Sequence, residues 1–249
     1  MSEAFDIAII GGGPGGYSTA LRAAELGKRV AMIERDATLG GTCLNRGCIP
    51  SKALISATHA IDSIRHAGEL GISATINGID YGTLHDYKKR IVDTMTQGLA
   101  GLLAHRGVTV FRGVASITGA ARPITVHIAA PADGQDVQRS VRSDVPEDIG
   151  PSYDITAQDV VLAMGSAPRQ LPGEPFRGAI IDSTRAMSMA MPHNAVIIGA
   201  GAIAAEFASM WNAAGCKVTM LIRKDRVLSG WDRRAGVTLT RELKRHGID

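Results

Sequence analysis

The sequence predicts an α/β fold built on two βαβ units. A strand, glycine turn, helix and second strand follow one another near residues 6–34, and the same order recurs near residues 195–222. Gly reaches 29 residues while aromatic side chains make up only 4% of the 249-residue chain. Such a chain builds its core from aliphatic side chains and Ala, and brings backbones close together. Hydrophobic residues at 45% and charged residues at 20% exclude a disordered chain.

The first unit opens with the β-branched run Asp6-Ile7-Ala8-Ile9-Ile10. Gly11-Gly12-Gly13-Pro14-Gly15-Gly16 follows, then Tyr17, Ala20, Leu21 and Ala24 along one face of a helix. Gly27 ends the helix, Arg29 to Ile33 is the next strand, and Glu34 closes it. An ordinary glycine turn needs none of this register. A dinucleotide site needs all of it: Gly11 for the tight turn, Gly13 for approach of a pyrophosphate, Gly16 for helix–strand packing. The phosphates sit on the N–H groups at the helix N-terminus, and the acid accepts from a ribose.

Next comes Gly40-Gly41-Thr42-Cys43-Leu44-Asn45-Arg46-Gly47-Cys48-Ile49-Pro50-Ser51-Lys52. Glycine and proline around the cysteines let the backbone bend enough to join them. Ile49, Ala53, Leu54 and Ala57 predict a helix running on from Cys48, and the positive end of a helix favours a thiolate. Lys52, four residues on, shares a face with Cys48. Three readings fit the pair: a redox disulfide, inert thiols, or part of a zinc site. Zinc wants four ligands in paired spacing. The remaining Cys216 and the scattered His residues do not supply them, so no metal is expected. Cys216, alone before a strand, reads as a core residue.

Leu84, Tyr87, Ile91, Met95, Leu99 and Leu102 predict a long amphipathic helix. Val108 to Phe111, Ile124 to Ile128 and Asp159 to Met164 read as strands. Pro131 to Ser152, rich in Gly, Pro and Asp, reads as an extended surface loop. In the second unit, Ala195 to Ile198 is a strand and Gly199-Ala200-Gly201 the turn. Ile203, Phe207, Met210, Trp211 and Ala214 form the helix face, and Lys217 to Ile222 is the next strand. Ala204 replaces the third glycine. The strand ends on Ile222-Arg223-Lys224 where the first ends on an acid. An Arg there can bind a 2′-phosphate and leans the site towards NADP(H); the alternative is that Arg223, Lys224 and Arg226 are solvated surface charges.

The formal net charge is +3, and eight basic against four acidic residues fall from Arg223 onward. The excess is local, so a nucleic-acid surface is not expected. Three cysteines do not make a secreted disulfide framework. No apolar run reaches a membrane span, and MSEAFDIAII has no basic leader. A cytoplasmic protein is therefore expected, with no membrane partner.

The segment from Gly40 to Leu54 resembles the redox segment of the flavin-dependent pyridine nucleotide–disulfide oxidoreductases. Its Cys-Leu-Asn-x-Gly-Cys-Ile-Pro-Ser-Lys-Ala-Leu form is most similar to the dihydrolipoamide dehydrogenase branch. The likeness continues through Gly98 to Gly113, Val160 to Gly173, Ile181 to Arg185 and the second glycine motif with Glu206. It implies two Rossmann-like domains: a FAD domain over 1–169, a linker over 170–193 and a partial NAD(P) domain over 194–249. It places FAD on Gly11, Gly13, Pro14, Gly15, Gly16, Glu34, Arg35, Gly41, Thr42 and Lys52. Gly113 and Ala115 match the adenine side. Met164-Gly165-Ser166 matches a turn in which Met164 replaces Thr. NAD(H) or NADP(H) falls on Gly199, Ala200, Gly201, Ile203, Glu206 and Arg223.

In the resemblance Cys48 is the thiol next to the flavin and Cys43 the thiol that exchanges with substrate. Lys52 and Glu206 form an ion pair beside the flavin, because a lone buried Lys would be costly. The implied reaction passes electrons between a dithiol or disulfide, the Cys43–Cys48 pair, FAD and the nicotinamide. The substrate is dihydrolipoamide, free or on a lipoyl domain. Alternatives are a glutathione-like disulfide or mercuric ion with NADPH, or a nucleotide-binding fragment without activity. The family's chains are nearly twice as long. Their C-terminal interface domain, with its His–Glu acid–base pair and the homodimer contact, is not expected within these residues, and no His here is a candidate base.

Overall fold

The computed structural model describes residues 3–119, 121–141 and 147–249. They divide into two compact units, Met1–Ile49 with Ile91–Arg169, and Pro50–Arg90 with Gln170–Asp249. The FAD domain expected over 1–169 is thus interrupted: residues 50–90 group with the second unit. The cause is packing, since Leu54, Ile55 and Leu84 join the cluster around Phe207 and Trp211.

In chain order the first unit holds β1 (Glu3–Ile10), α1 (Pro14–Glu25), β2 (Val30–Glu34) and α2 (Gly41–Arg46). Helices α3 (Cys48–His66) and α4 (Tyr81–His105) begin or end in it. Strands β3 (Thr109–Arg112), β4 (Val114–Gly119), β5 (Ile124–Ala129), β6 (Gln138–Ser140), β7 (Glu147–Asp148) and β8 (Ser152–Leu162) complete it. One sheet runs in the order β4-β5-β8-β1-β2-β3-β6-β7. Its centre, β8-β1-β2-β3, is parallel, while β4, β5, β6 and β7 pair antiparallel.

The sequence dictates this layering by alternation. Along β1 and β2, Ile9, Val30 and Met32 point to the face that also buries Ala20, Leu99, Leu103 and Val108. Ala8, Ala31 and Ile33 point to the opposite face with Phe5, Phe111, Val126, Ile128 and Ile155. Both faces are covered, so all five residues of β2 are buried, as a continuous apolar run in a parallel sheet requires.

Two expectations shift. The strand read from Asp159 begins at Ser152, because Ile155 and Ala157 pair with β5 and fill the core. The stretch read as an extended loop over 131–152 contains β6 and β7. There Val137 is fully buried, and its N–H donates to Gly150 O at 2.8 Å. Arg112 anchors this stretch through Asp133 and Gln135. The long helix appears as α4, but Tyr87, Met95 and Leu102 stay exposed while Leu99 and Leu103 enter the core.

The second unit adds α5 (Ser183–Ala186), β9 (Asn194–Ile198), α6 (Ala202–Ala213), β10 (Lys217–Leu221) and α7 (Arg233–Arg245). Strands β9 and β10 are parallel. Phe207, Met210, Trp211 and Ala214 are buried as the periodicity predicts, whereas Ile203 is exposed. Among the described residues, no helix is long and apolar enough to cross a membrane.

Leu103 is fully buried in the cluster beneath α4. Leu103→Ala is expected to lower unfolding free energy by about 2–5 kcal/mol, read as a lower urea midpoint with an unchanged slope.

Candidate dinucleotide and dithiol site

The first glycine turn is a hub of backbone bonds. Gly11 N–H donates to Ile33 O at 2.8 Å, Gly40 N–H to Gly12 O at 2.9 Å, Gly113 N–H to Glu34 O at 2.9 Å, and Ala163 N–H to Ile10 O at 2.8 Å. Within the first unit the fold therefore gathers the turn, Glu34, the segment at Gly41, the end of β3 and the turn at Met164. Gly11 has a positive φ of 107°, and a Cβ there would lie 2.3 Å from Ala163 O. A Cβ on Gly16 would lie 1.8 Å from Gly11 O. Only bare backbone permits this packing of α1 on β1.

Glu34 is buried at 8% exposure. Its Oε2 accepts from Gly12 N–H at 2.7 Å and its Oε1 from Asp36 N–H at 2.9 Å. A carboxylate has about four acceptor sites, so lone pairs remain for a ribose. Helix α1 opens at Gly13 without a side-chain cap, and a Cβ on Gly41 would lie 2.7 Å from Gly13 Cα. Uncapped N–H groups at a helix terminus, with bare glycine backbone beside them, suit the approach of a pyrophosphate. Arg35 lies in the open, 71% exposed, and Gly165 adopts a left-handed φ of 72° next to an exposed Met164.

The dithiol segment follows directly. Cys43 sits half-buried on α2, and Cys48 is exposed as the first residue of α3. Asn45 is a functional contact that sequence reasoning did not single out. Its side-chain amide donates to Leu39 O and Gly41 O, each at 3.0 Å, and accepts from Thr38 at 2.7 Å. Arg46 pairs with Asp36 at 2.5 Å. These four contacts fix the loop that presents Cys43. Cys216 is buried as expected, and burial pushes its thiol pKa up, which suits an inert core thiol. Among the described residues, no cluster of three His, Cys, Asp or Glu could hold a metal.

In the second unit, Lys52 Nζ meets Glu206 Oε1 at 2.6 Å, and Ser51 Oγ lies 3.5 Å from Oε2. The expected ion pair is present, but it is not buried: the side chains are 55% and 31% exposed. The second glycine turn is looser than the first. Gly199 N–H donates to Leu221 O at 3.1 Å, and Leu228 N–H to Ala200 O at 2.7 Å. Leu228 takes a left-handed φ of 49° to do so, a contact with no sequence signal. Helix α6 opens at Gly201 without a side-chain cap. Arg223 and Lys224 are exposed beyond β10. Arg226 is not a solvated charge: its side chain is 15% exposed, and it binds Asp225 at 3.2 Å and Ser229 O at 3.1 Å.

The family model described as pyridine nucleotide-disulphide oxidoreductase matches residues 5–249. The chain is 35% identical over 249 residues to a dihydrolipoyl dehydrogenase of Chlamydia pneumoniae, covering 100% of this chain and 49% of that protein. It is 38% identical over 252 residues to dihydrolipoyl dehydrogenase 3 of Pseudomonas aeruginosa, covering 100% and 50%. The crystal structure of LpdA from Mycobacterium tuberculosis superposes with a TM-score of 0.81 at 26% identity, covering 99% of this chain and 50% of that one. The chain thus spans about half the length of the curated relatives it matches.

Glu34→Gln puts an amide where two backbone N–H groups need acceptors. It is expected to destabilise the fold by about 1–3 kcal/mol, measured by chemical unfolding of flavin-free protein, and to reduce the flavin retained on purification.

Proposed function

Since this chain belongs to the pyridine nucleotide-disulphide oxidoreductase family, we propose that its Cys43–Cys48 pair exchanges electrons with dihydrolipoamide, in a dehydrogenase that uses FAD and NAD(H). One observation carries the reading. The segment bearing the cysteines is hydrogen-bonded to the first glycine turn, Gly40 N–H to Gly12 O at 2.9 Å, so thiol chemistry and dinucleotide binding share one rigid frame.

The residues present fit FAD. The uncapped opening of α1 and the apposed Gly13 and Gly41 would hold its pyrophosphate, and Glu34 its ribose. Gly113 and Ala115 would line its adenine, with the turn at Met164, Gly165 and Ser166 beside it. Bound there, FAD supplies the two-electron chemistry that links a dithiol to a nicotinamide. The second turn, with Gly199, Ala200, Gly201 and Ile203, would hold the nicotinamide nucleotide.

The chain's own part is thiol exchange. A substrate thiolate attacks Cys43 Sγ of the disulfide, the Cys43–Cys48 bond breaks, and Cys48 leaves as thiolate. The second substrate sulfur then attacks the mixed disulfide and frees Cys43. Substrate loses two electrons and two protons, and the pair gains the two electrons. Asn45 and the Arg46–Asp36 pair hold Cys43 in place during attack, and Cys48 opens α3, where a helix terminus favours negative charge. The Lys52–Glu206 pair supplies a fixed cation one turn along α3. A cytoplasmic homodimer is part of this reading, as the family resemblance implies.

A second reading rests on Arg223. It stands exposed just beyond β10, and Arg226 is committed elsewhere, so Arg223 with Lys224 suits a 2′-phosphate and hence NADPH with a different disulfide. Kinetics with NADH against NADPH, each with lipoamide and glutathione disulfide, separate the two.

Cys48→Ser in the full-length protein is expected to lower lipoamide-dependent turnover by about 1,000-fold or more, with flavin absorbance retained. Turnover at the parent rate would refute the proposal.

A further inference from the structure

Helix α6 ends in an unusual way. Its last turn leaves carbonyls that need donors. The backbone turn beyond it satisfies three: Ala214 N–H donates to Met210 O at 3.1 Å, Cys216 N–H to Trp211 O at 2.9 Å, and Gly215 N–H to Asn212 O at 2.9 Å. The remaining carbonyl, Ala213 O, accepts from Arg65 Nη1 at 2.7 Å. A cation is the favoured partner at the negative end of a helix. Yet α6 has no basic residue in its own last turn. The charge comes from α3, seventeen positions after its first residue.

Arg65 is also held from its own side. Asp62 lies one turn back with Oδ1 at 3.9 Å from Nη1. Helices α3 and α6 are therefore joined at two separated places, Lys52 to Glu206 and Arg65 to Ala213 O. Between these places the shared core contains Leu54, Phe207, Met210 and Trp211, with Ile55 packed against it. Apolar packing fixes the distance between two helices but resists sliding along the axis weakly. Two directional contacts at different points along the helices remove that freedom.

We propose that Arg65 is a positioning residue: by clamping α3 to the C-terminus of α6 it sets the axial placement at which Lys52 meets Glu206. The proposal rests on the reading that this pair serves the flavin, but its test does not. The Lys52–Glu206 contact is half-exposed, and such a pair is weak on its own. So weak a pair does not hold its register alone, and Arg65 adds the second directional contact between the two helices.

The test reads Lys52 itself. An ammonium held against a carboxylate reacts poorly with acylating reagents. The full chain is labelled briefly with acetic anhydride below its unfolding temperature, and acetylation of Lys52 is quantified by peptide mass spectrometry against exposed Lys217. Glu206→Gln is expected to raise Lys52 labelling several-fold. Arg65→Ala is expected to raise it by a comparable factor although both members of the pair are intact, and Arg65→Lys, which keeps a cationic donor, to return it towards the parent value. If Arg65→Ala does not fold, Arg65→Gln is read in the same way. Parent-level Lys52 labelling in a folded, merely less stable Arg65 variant overturns the proposal, as does an unchanged value in Glu206→Gln. Unchanged turnover in Cys48→Ser would overturn the proposed function and leave the labelling result standing.

Discussion

The close approach of α1 to the end of β1 is the constraint on which the first unit depends. With Gly16 set so that a Cβ would lie 1.8 Å from Gly11 O, the helix begins as soon as the strand ends. Its N–H groups then project beyond the carboxyl ends of the parallel strands, where α/β sheets bind ligands. The buried Glu34 carboxylate ties the same turn to β2 through Gly12 N–H. The backbone of Gly12 in turn receives the dithiol segment through Gly40 N–H. The uncapped helix terminus, the buried Glu34 carboxylate and the cysteine loop are thus successive consequences of one turn geometry, and loosening that turn would disturb all three.

The second unit repeats the topology without the constraint. Ala204 stands where Gly16 stands in the first, and a Cβ on Gly199 would reach its methyl at only 3.7 Å, an ordinary contact. Its turn is held from outside, by Leu228 N–H on Ala200 O. A turn held by a loop can adjust with that loop, and a turn held by its own helix cannot. The same bond ties the second turn to the loop bearing Arg223 and Lys224, so the geometry of the turn follows that of the loop.

Much of this was legible in the sequence because it is local. The βαβ units, Glu34 and the cysteine segment are short patterns in which each residue type has one physical reason to be there. The pairing of β6 with β3 was not legible: three residues of polar strand, Gln138 to Ser140, carry no periodicity, and the decisive residue is Val137, whose burial depends on contacts far away in sequence. The openness of the Lys52–Glu206 pair was hidden for the same reason, since burial of a lysine is set by its neighbours in space. Arg226 could not be told from its neighbours because a basic run in a sequence does not say which member turns inward; the glycine at 236, where a Cβ would crowd the Arg226 side chain at 3.1 Å, is the residue that makes room for it.

That inward turn bears on nucleotide choice. Of the three basic residues after β10, Arg226 spends its guanidinium on Asp225 and Ser229 O, and thereby shapes the loop that leads to Leu228. Its charge is largely neutralised by the adjacent carboxylate, so it offers little attraction to a phosphate. Arg223 and Lys224 keep theirs. A loop with one structural and two outward cations presents positive charge only just past the strand end. In register, Glu34 of the first unit corresponds to Ile222 of the second, and Arg35 to Arg223, so the second unit lacks the buried carboxylate that ties the first turn to its second strand.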